Sequence, residues 1–155
     1  MDETEDLTPL HPDHVRALRA TAIIGALPFV IGALVLEIAG FLPPGAFLVP
    51  VLLVAAFVVV RMPLRRYSAR GYVMGEDRLR VVRGILFRSD TVVPFGRVQH
   101  IDVDQGPLER IYDLATLTLH TAGNHNASVH LPGLAQADAL AMRETIRARI
   151  KRDTM

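Results

Sequence analysis

The 155-residue chain contains no cysteine and no tryptophan. Without thiols it can form no disulfide, carry no thiolate nucleophile and ligate no metal through sulfur, although a cysteine-free chain suits either redox compartment. Charge of one sign is also missing. Seventeen Lys and Arg against sixteen Asp and Glu leave a net +1, so no global field draws the molecule to nucleic acid. The chain lacks a glycine-rich phosphate loop after a strand, a GxSxG nucleophile elbow and an HExxH helix. No cofactor site and no small-molecule substrate site is evident. What the chain has in excess is hydrophobic residues, 50% of the total, with a mean hydropathy of +0.29.

That excess is concentrated in residues 21–42, TAIIGALPFVIGALVLEIAGFL, and residues 45–60, GAFLVPVLLVAAFVVV. A membrane-spanning helix needs about 20 apolar residues at 1.5 Å rise each. The first run meets this with a single charge, Glu37; the second reaches it if Met62 to Leu64, or Phe41, extend it. Leu42-Pro43-Pro44-Gly45 breaks the helix between them, and Pro28 is tolerated inside a membrane helix. The pattern predicts a transmembrane hairpin over 20–62, preceded by a leader over 1–19. A secretory signal peptide is the rival reading of the first run. It would need a basic start and a small-residue cleavage site, whereas MDETEDLTPLHPDH is acidic and a second apolar run follows at once.

Arg16 and Arg19 flank the first span, Arg61, Arg65, Arg66 and Arg70 follow the second, and the connecting turn is uncharged. Positive flanks stay cytoplasmic, so both termini and the C-terminal part are expected inside. Reporter fusions before Met1 and after Met155 should read cytoplasmic, and one at Pro44 external. An exported C-terminal reporter would sink the hairpin and revive the signal peptide.

From Tyr67 the chain alternates in short runs. Residues 71–74, 78–83, 91–95 and 97–103 are predicted strands, with Gly75-Glu76-Asp77 as a turn, 85–88 extended after a break at Gly84, and Pro94 marking a strand end or sheet edge. In the fourth run Gln99, Ile101 and Val103 should share one face, with Val98, His100 and Asp102 on the other. Gln105-Gly106 closes this strand. Pro107 suits the first position of a helical turn over 107–112, with Leu108 and Ile111 or Tyr112 inward. Asp113 tolerates left-handed backbone and returns the chain to a strand. Runs 115–121 and 127–131 form a hairpin around Asn124-His125-Asn126. Pairing Leu119 with Leu131 and Thr121 with Val129 puts the apolar partners on one face. Ala135, Ala139, Met142, Ile146 and Ile150 form a helical stripe. About six or seven strands and one helix suggest a small barrel or sandwich, spanning 67–152, whose open end the helix covers.

The stretch RGILFRSDTVVPFGRVQHIDVDQGPLERIYDLATLTLHTAG, followed by Leu131-Pro132-Gly133-Leu134 and an alanine-rich helix, resembles the bacterial pleckstrin-homology-like family in its membrane-anchored, YdbS-like form. The likeness rests on Arg83-Gly84-Ile85-Leu86, on Val93-Pro94 with Arg97-Val98-Gln99, on Gln105-Gly106-Pro107-Leu108 with Arg110, and on residues 117–123. It departs at Asp113, where the family tends to place glycine. The resemblance implies two helices before a strongly bent seven-stranded antiparallel sheet capped by a helix, and no enzymatic activity. It also implies a partner carrying related domains. Pleckstrin-homology domains that bind inositol phosphates use a basic loop between their first two strands, whereas Gly75-Glu76-Asp77 is acidic.

Arg61, Arg65, Arg66 and Arg70 are candidates for lipid headgroups as well as for topology, since juxtamembrane cations gain about 1 kcal/mol each from an anionic surface. Gln105, Leu108, Glu109 and Arg110 are candidates for contact with a partner, with Glu109 and Arg110 expected to point outward. The competing reading has Leu108 and Tyr112 plugging one end of the barrel. Glu37, as the one ionisable residue inside a span, is a functional candidate by default. It lies about one and a half turns before Pro43, where it could reach water or hydrogen-bond the other helix. His100, His120, His125 and His130 could suggest a metal site; His120 and His130 are expected to oppose each other on the outward face, but a third ligand for zinc is not evident. Asp102, Asp104, Glu109 and Asp113 read as solvated surface. These features predict a non-catalytic interaction or assembly module at a membrane, working with a related membrane protein or with itself. An anionic-lipid sensor is the alternative, and a small metal-dependent enzyme a third.

Overall fold

The structure, a computed structural model, describes residues 7–122 and 128–153. The two apolar runs form helices α1 (His14–Ile38) and α2 (Leu48–Ser68), packed against each other. Both are long and apolar enough to cross a membrane. Their Ile, Leu, Val and Phe side chains are largely exposed, an arrangement that suits a hydrocarbon solvent and not water. Each helix outruns its apolar stretch. Arg16 and Arg19 therefore ride on the first turns of α1, and Arg61, Arg65 and Arg66 on the last turns of α2.

Two three-stranded antiparallel sheets follow, β1 (Gly71–Met74), β2 (Arg78–Arg83) and β3 (Ser89–Pro94) in one, β4 (Val98–Asp104), β5 (Leu114–Thr121) and β6 (Ser128–Ala135) in the other. They form a sandwich over a shared core that includes Leu79, Val81 and Val93 from the first sheet and Leu117, Leu119 and Leu131 from the second. A 3-10 turn, Phe95–Arg97, passes the chain between sheets. Helix α4 (Gln136–Asp153) lies on β4, β5 and β6, burying Ala139, Met142 and Ile146, with Ile150 against the core. Thus the predicted architecture, two membrane helices and then a mainly-β domain closed by a C-terminal helix, is the observed one.

Several local expectations need correction. Residues 85–88 are a turn and not extended chain, because β2 pairs with β3 as Arg83 with Ser89 and Val82 with Asp90, which draws Ser89 and Asp90 into the strand. Strand β6 runs on to Ala135, so Leu119 pairs with Val129 and Leu117 with Leu131. This is two residues from the expected register; a shift of two keeps the same face inward, which is why the apolar pattern could not distinguish them. In β4 a register shift between Val98 and His100 breaks strict alternation. Such a bulge turns Val98 into the core alongside Ile101 and Val103,.

The leader is also part of the fold. Leu10 is only 2% exposed, within the core. Thr8 bridges to Tyr72 at the edge of β1, and the Tyr67 hydroxyl donates to the Leu10 carbonyl at 2.8 Å. Covering β1 in this way blunts an edge that would otherwise template another strand.

Candidate functional site

The last two turns of α2 and the strand that follows build a basic collar. Arg61, Arg65 and Arg66 are exposed, and Arg70, two residues beyond the helix, is half-buried. Gly71 pairs with Val82, which sets Arg83 of β2 across from Arg70. Burial comes first, then the positive charges of Arg66 and Arg83, in pushing the Arg70 pKa below its ordinary value. No carboxylate lies within ion-pair distance of Arg61, Arg65, Arg66, Arg70, Arg83 or Arg88 among the described residues. A partly desolvated guanidinium beside two like charges is relieved by an anion. Arg70 also lines two clefts, one of about 190 Å³ shared with Arg83 and one of about 370 Å³ shared with Arg88. Reading along the sequence found four of these arginines and missed Arg83 and Arg88. The turn at 75–77 offered the signal for Arg83, since counting back along that hairpin places it opposite Arg70.

The residues proposed for a partner surface lie on α3 (Pro107–Ile111) and, for Gln105, just before it, and one of them departs from its expected orientation. The Gln105 side-chain amide donates to the Leu114 carbonyl at 2.7 Å. Glu109 accepts from the Gly106 N–H at 2.8 Å and from the Thr116 hydroxyl at 2.7 Å, so it faces the fold, contrary to the expectation that it points outward. Glu109 thereby satisfies an otherwise unpaired donor at the start of the helix. Leu108 is half-buried and Arg110 exposed, as expected; of the two alternatives for the second inward residue, Tyr112 is half-buried whereas Ile111 is 72% exposed. Asp113 has φ +54°, the left-handed conformation anticipated for it. The aspartate therefore stands where a glycine would be the least strained choice.

Glu37 sits between the two membrane helices. Its carboxylate accepts from the N–H groups of Gly45, Phe47 and Leu48, the last two at 3.2 Å. These donors precede and open α2 and have no partner within the helix. The acid thus ties the hairpin together through the α2 N-terminus.

On the outward face of the second sheet, His120 pairs with Ser128 and Thr118 with His130, so His120 and His130 do not oppose each other. Instead, His100 and His120 share Asp102, their Nε2 atoms 2.8 Å and 3.1 Å from its two oxygens, while His120 Nδ1 meets the Ser128 hydroxyl at 2.8 Å. Among the described residues no group of three His, Asp or Glu side chains is placed to hold a metal ion; His125 lies outside them.

A family model described as "Bacterial PH domain" matches residues 22–150. The chain is 35% identical over 95 residues to a Bacillus subtilis (strain 168) protein named "UPF0699 transmembrane protein YdbS". That alignment covers 61% of this chain and 55% of the relative, so the chain matches about half the relative's length. No solved structure matches.

Proposed function

Because this chain belongs to the bacterial PH-domain family, we propose that it is a non-catalytic, membrane-tethered module whose domain is held on anionic lipid at the inner face of a bacterial cell membrane. The observation carrying this reading is Arg70, half-buried beside the like charges of Arg66 and Arg83 and with no carboxylate in ion-pair distance among the described residues. Lipid phosphate is the anion available at that height, and a guanidinium binds it through paired N–H groups. The acidic turn at 75–77 lies at the other end of β1 and β2 from the link to α2.

A second reading, assembly with another membrane protein or a second copy, is favoured by one feature. The groove between α1 and α2, about 540 Å³, has Ala22, Gly25, Ala26 and Ala55 on its walls among larger apolar side chains such as Phe29 and Met62. Small residues let a further helix approach closely.

One detergent-solubilised preparation addresses both. Phosphatidylglycerol should raise the thermal midpoint, phosphatidylcholine should not, and salt should weaken the effect. Arg70→Gln with Arg83→Gln should weaken the anionic lipid by about 2 kcal/mol, roughly thirtyfold. Equal stabilisation of the variant would overturn the lipid reading. Purification in mild detergent without any co-purifying chain, and as a monomer, would overturn the assembly reading.

A further inference from the structure

Leu86 and Phe87 are each 89% exposed, in the turn that joins β2 to β3. Ile85 beside them is exposed too, and Arg83 and Arg88 frame the three. Turns ordinarily place polar or small residues at such a tip. This tip is firmly shaped: Gly84 has φ +126°, and a side chain there would overlap the Phe87 carbonyl. The two most exposed large apolar side chains among the described residues of the β-domain are therefore carried on a tight, built turn.

Its place in the fold points to what covers it. Helix α2 ends at Ser68 and β1 starts at Gly71, while β2 runs back antiparallel with Val82 opposite Gly71. The turn thus emerges where the chain leaves the membrane helix. Gly84 and Arg88 share the wall of one cleft with Tyr67, Ala69 and Arg70. Leu64, the last aliphatic residue of α2, precedes Ser68 by four residues, about 6 Å along the helix, a distance comparable to the depth of the headgroup layer. Aliphatic and aromatic side chains flanked by arginines are the composition that layer accepts, the apolar parts sinking while the guanidinium groups stay at phosphate level.

We propose that the β2–β3 turn is a third membrane contact, with Leu86 and Phe87 seated in the interfacial layer of the bilayer that α1 and α2 span. The consequence is a domain whose orientation toward the bilayer is set at the turn tip as well as at the start of α1 and the end of α2. This rests on the chain being a membrane protein and not on any preference of the arginine collar for anionic lipid.

The absence of tryptophan makes a single introduced indole a clean reporter. Phe87→Trp and Leu86→Trp, each in the full chain, are reconstituted into bilayers of zwitterionic phosphatidylcholine, plain or brominated near the top of the acyl chains. Both should show blue-shifted emission that the brominated lipid quenches about twofold or more, as for an interfacial tryptophan. Glu76→Trp, at the opposite end of the β1–β2 hairpin, should emit as in water and remain unquenched. Water-like, unquenched emission from positions 86 and 87 would overturn the proposal. So would blue-shifted emission without quenching, which would mean that protein covers the tip, or equal quenching at position 76. Because the bilayer is zwitterionic, a failed anionic-lipid preference leaves this outcome unaffected.

Discussion

Phe95→Ala is expected to lower the unfolding free energy of the β-domain by about 3–5 kcal/mol, the range for deleting a fully buried phenyl ring. Phe95 is 0% exposed and occupies the 3-10 turn through which the chain passes from the first sheet to the second. Its backbone N–H donates to the Asp77 carbonyl at 2.8 Å, and the Arg149 guanidinium of α4 lies over the ring at 5.9 Å. One side chain therefore sits where both sheets and the covering helix meet. Truncating it leaves a cavity that none of the three can close without giving up contacts with the other two. Denaturant titration followed by far-ultraviolet circular dichroism measures the loss. Leu86→Ala, on the exposed turn tip, should change the same quantity by under about 0.5 kcal/mol in micelles. Similar losses for the two variants would mean that Phe95 is not the joint between layers.

Most of the architecture is legible in the residues because it follows from periods and breakers. Two apolar runs, carrying only Glu37 between them and separated by Pro43-Pro44, read as separate helices, and the stripe Ala139, Met142, Ile146 has one face to bury. Pro107 and Asp113 mark the ends of α3 by backbone preference alone. What escaped has equally physical causes. A register shift of two residues leaves every side chain on the same face, so Leu119 could be matched with either Leu131 or Val129. Ile85, Leu86 and Phe87 look like strand because an apolar triplet usually is buried; at a membrane surface that rule reverses. Leu10 stands among polar residues and prolines, and its burial depends on Tyr67 and Tyr72 arriving from elsewhere in the chain. Glu109 was legible in principle, since a glutamate three residues after a helix-capping position folds back on it. Arg83 and Arg88 join the collar only through strand pairing, so a search for a contiguous run of arginines stops at Arg70.

Gly133→Ala should be the most damaging single-methyl change at the joint between anchor and domain, costing about 2–4 kcal/mol from left-handed strain and overlap together. Gly133 holds φ +76° within β6, and a β-carbon there would come 2.5 Å from Cγ of His14. His14 cannot easily yield. It is the first residue of α1 and only 5% exposed. The segment before it is pinned by the His11 N–H, which donates to the Gly133 carbonyl at 2.8 Å, and by the His14 N–H, which donates to the His11 carbonyl at 3.0 Å. Neither ring nitrogen of His14 has a hydrogen-bond partner among the described residues, so the ring serves as packing, and its removal also relieves two buried polar atoms. His14→Ala should accordingly recover the steric share of the Gly133→Ala loss, about 1–2 kcal/mol, leaving the backbone strain that no partner substitution can remove. Thermal unfolding of the two single variants and the double variant in one detergent measures this coupling. Strictly additive losses would show that His14 and Gly133 do not press on each other. A coupling of the expected sign would establish that the start of α1 is seated on β6, so that the first membrane helix and the second sheet move as one body.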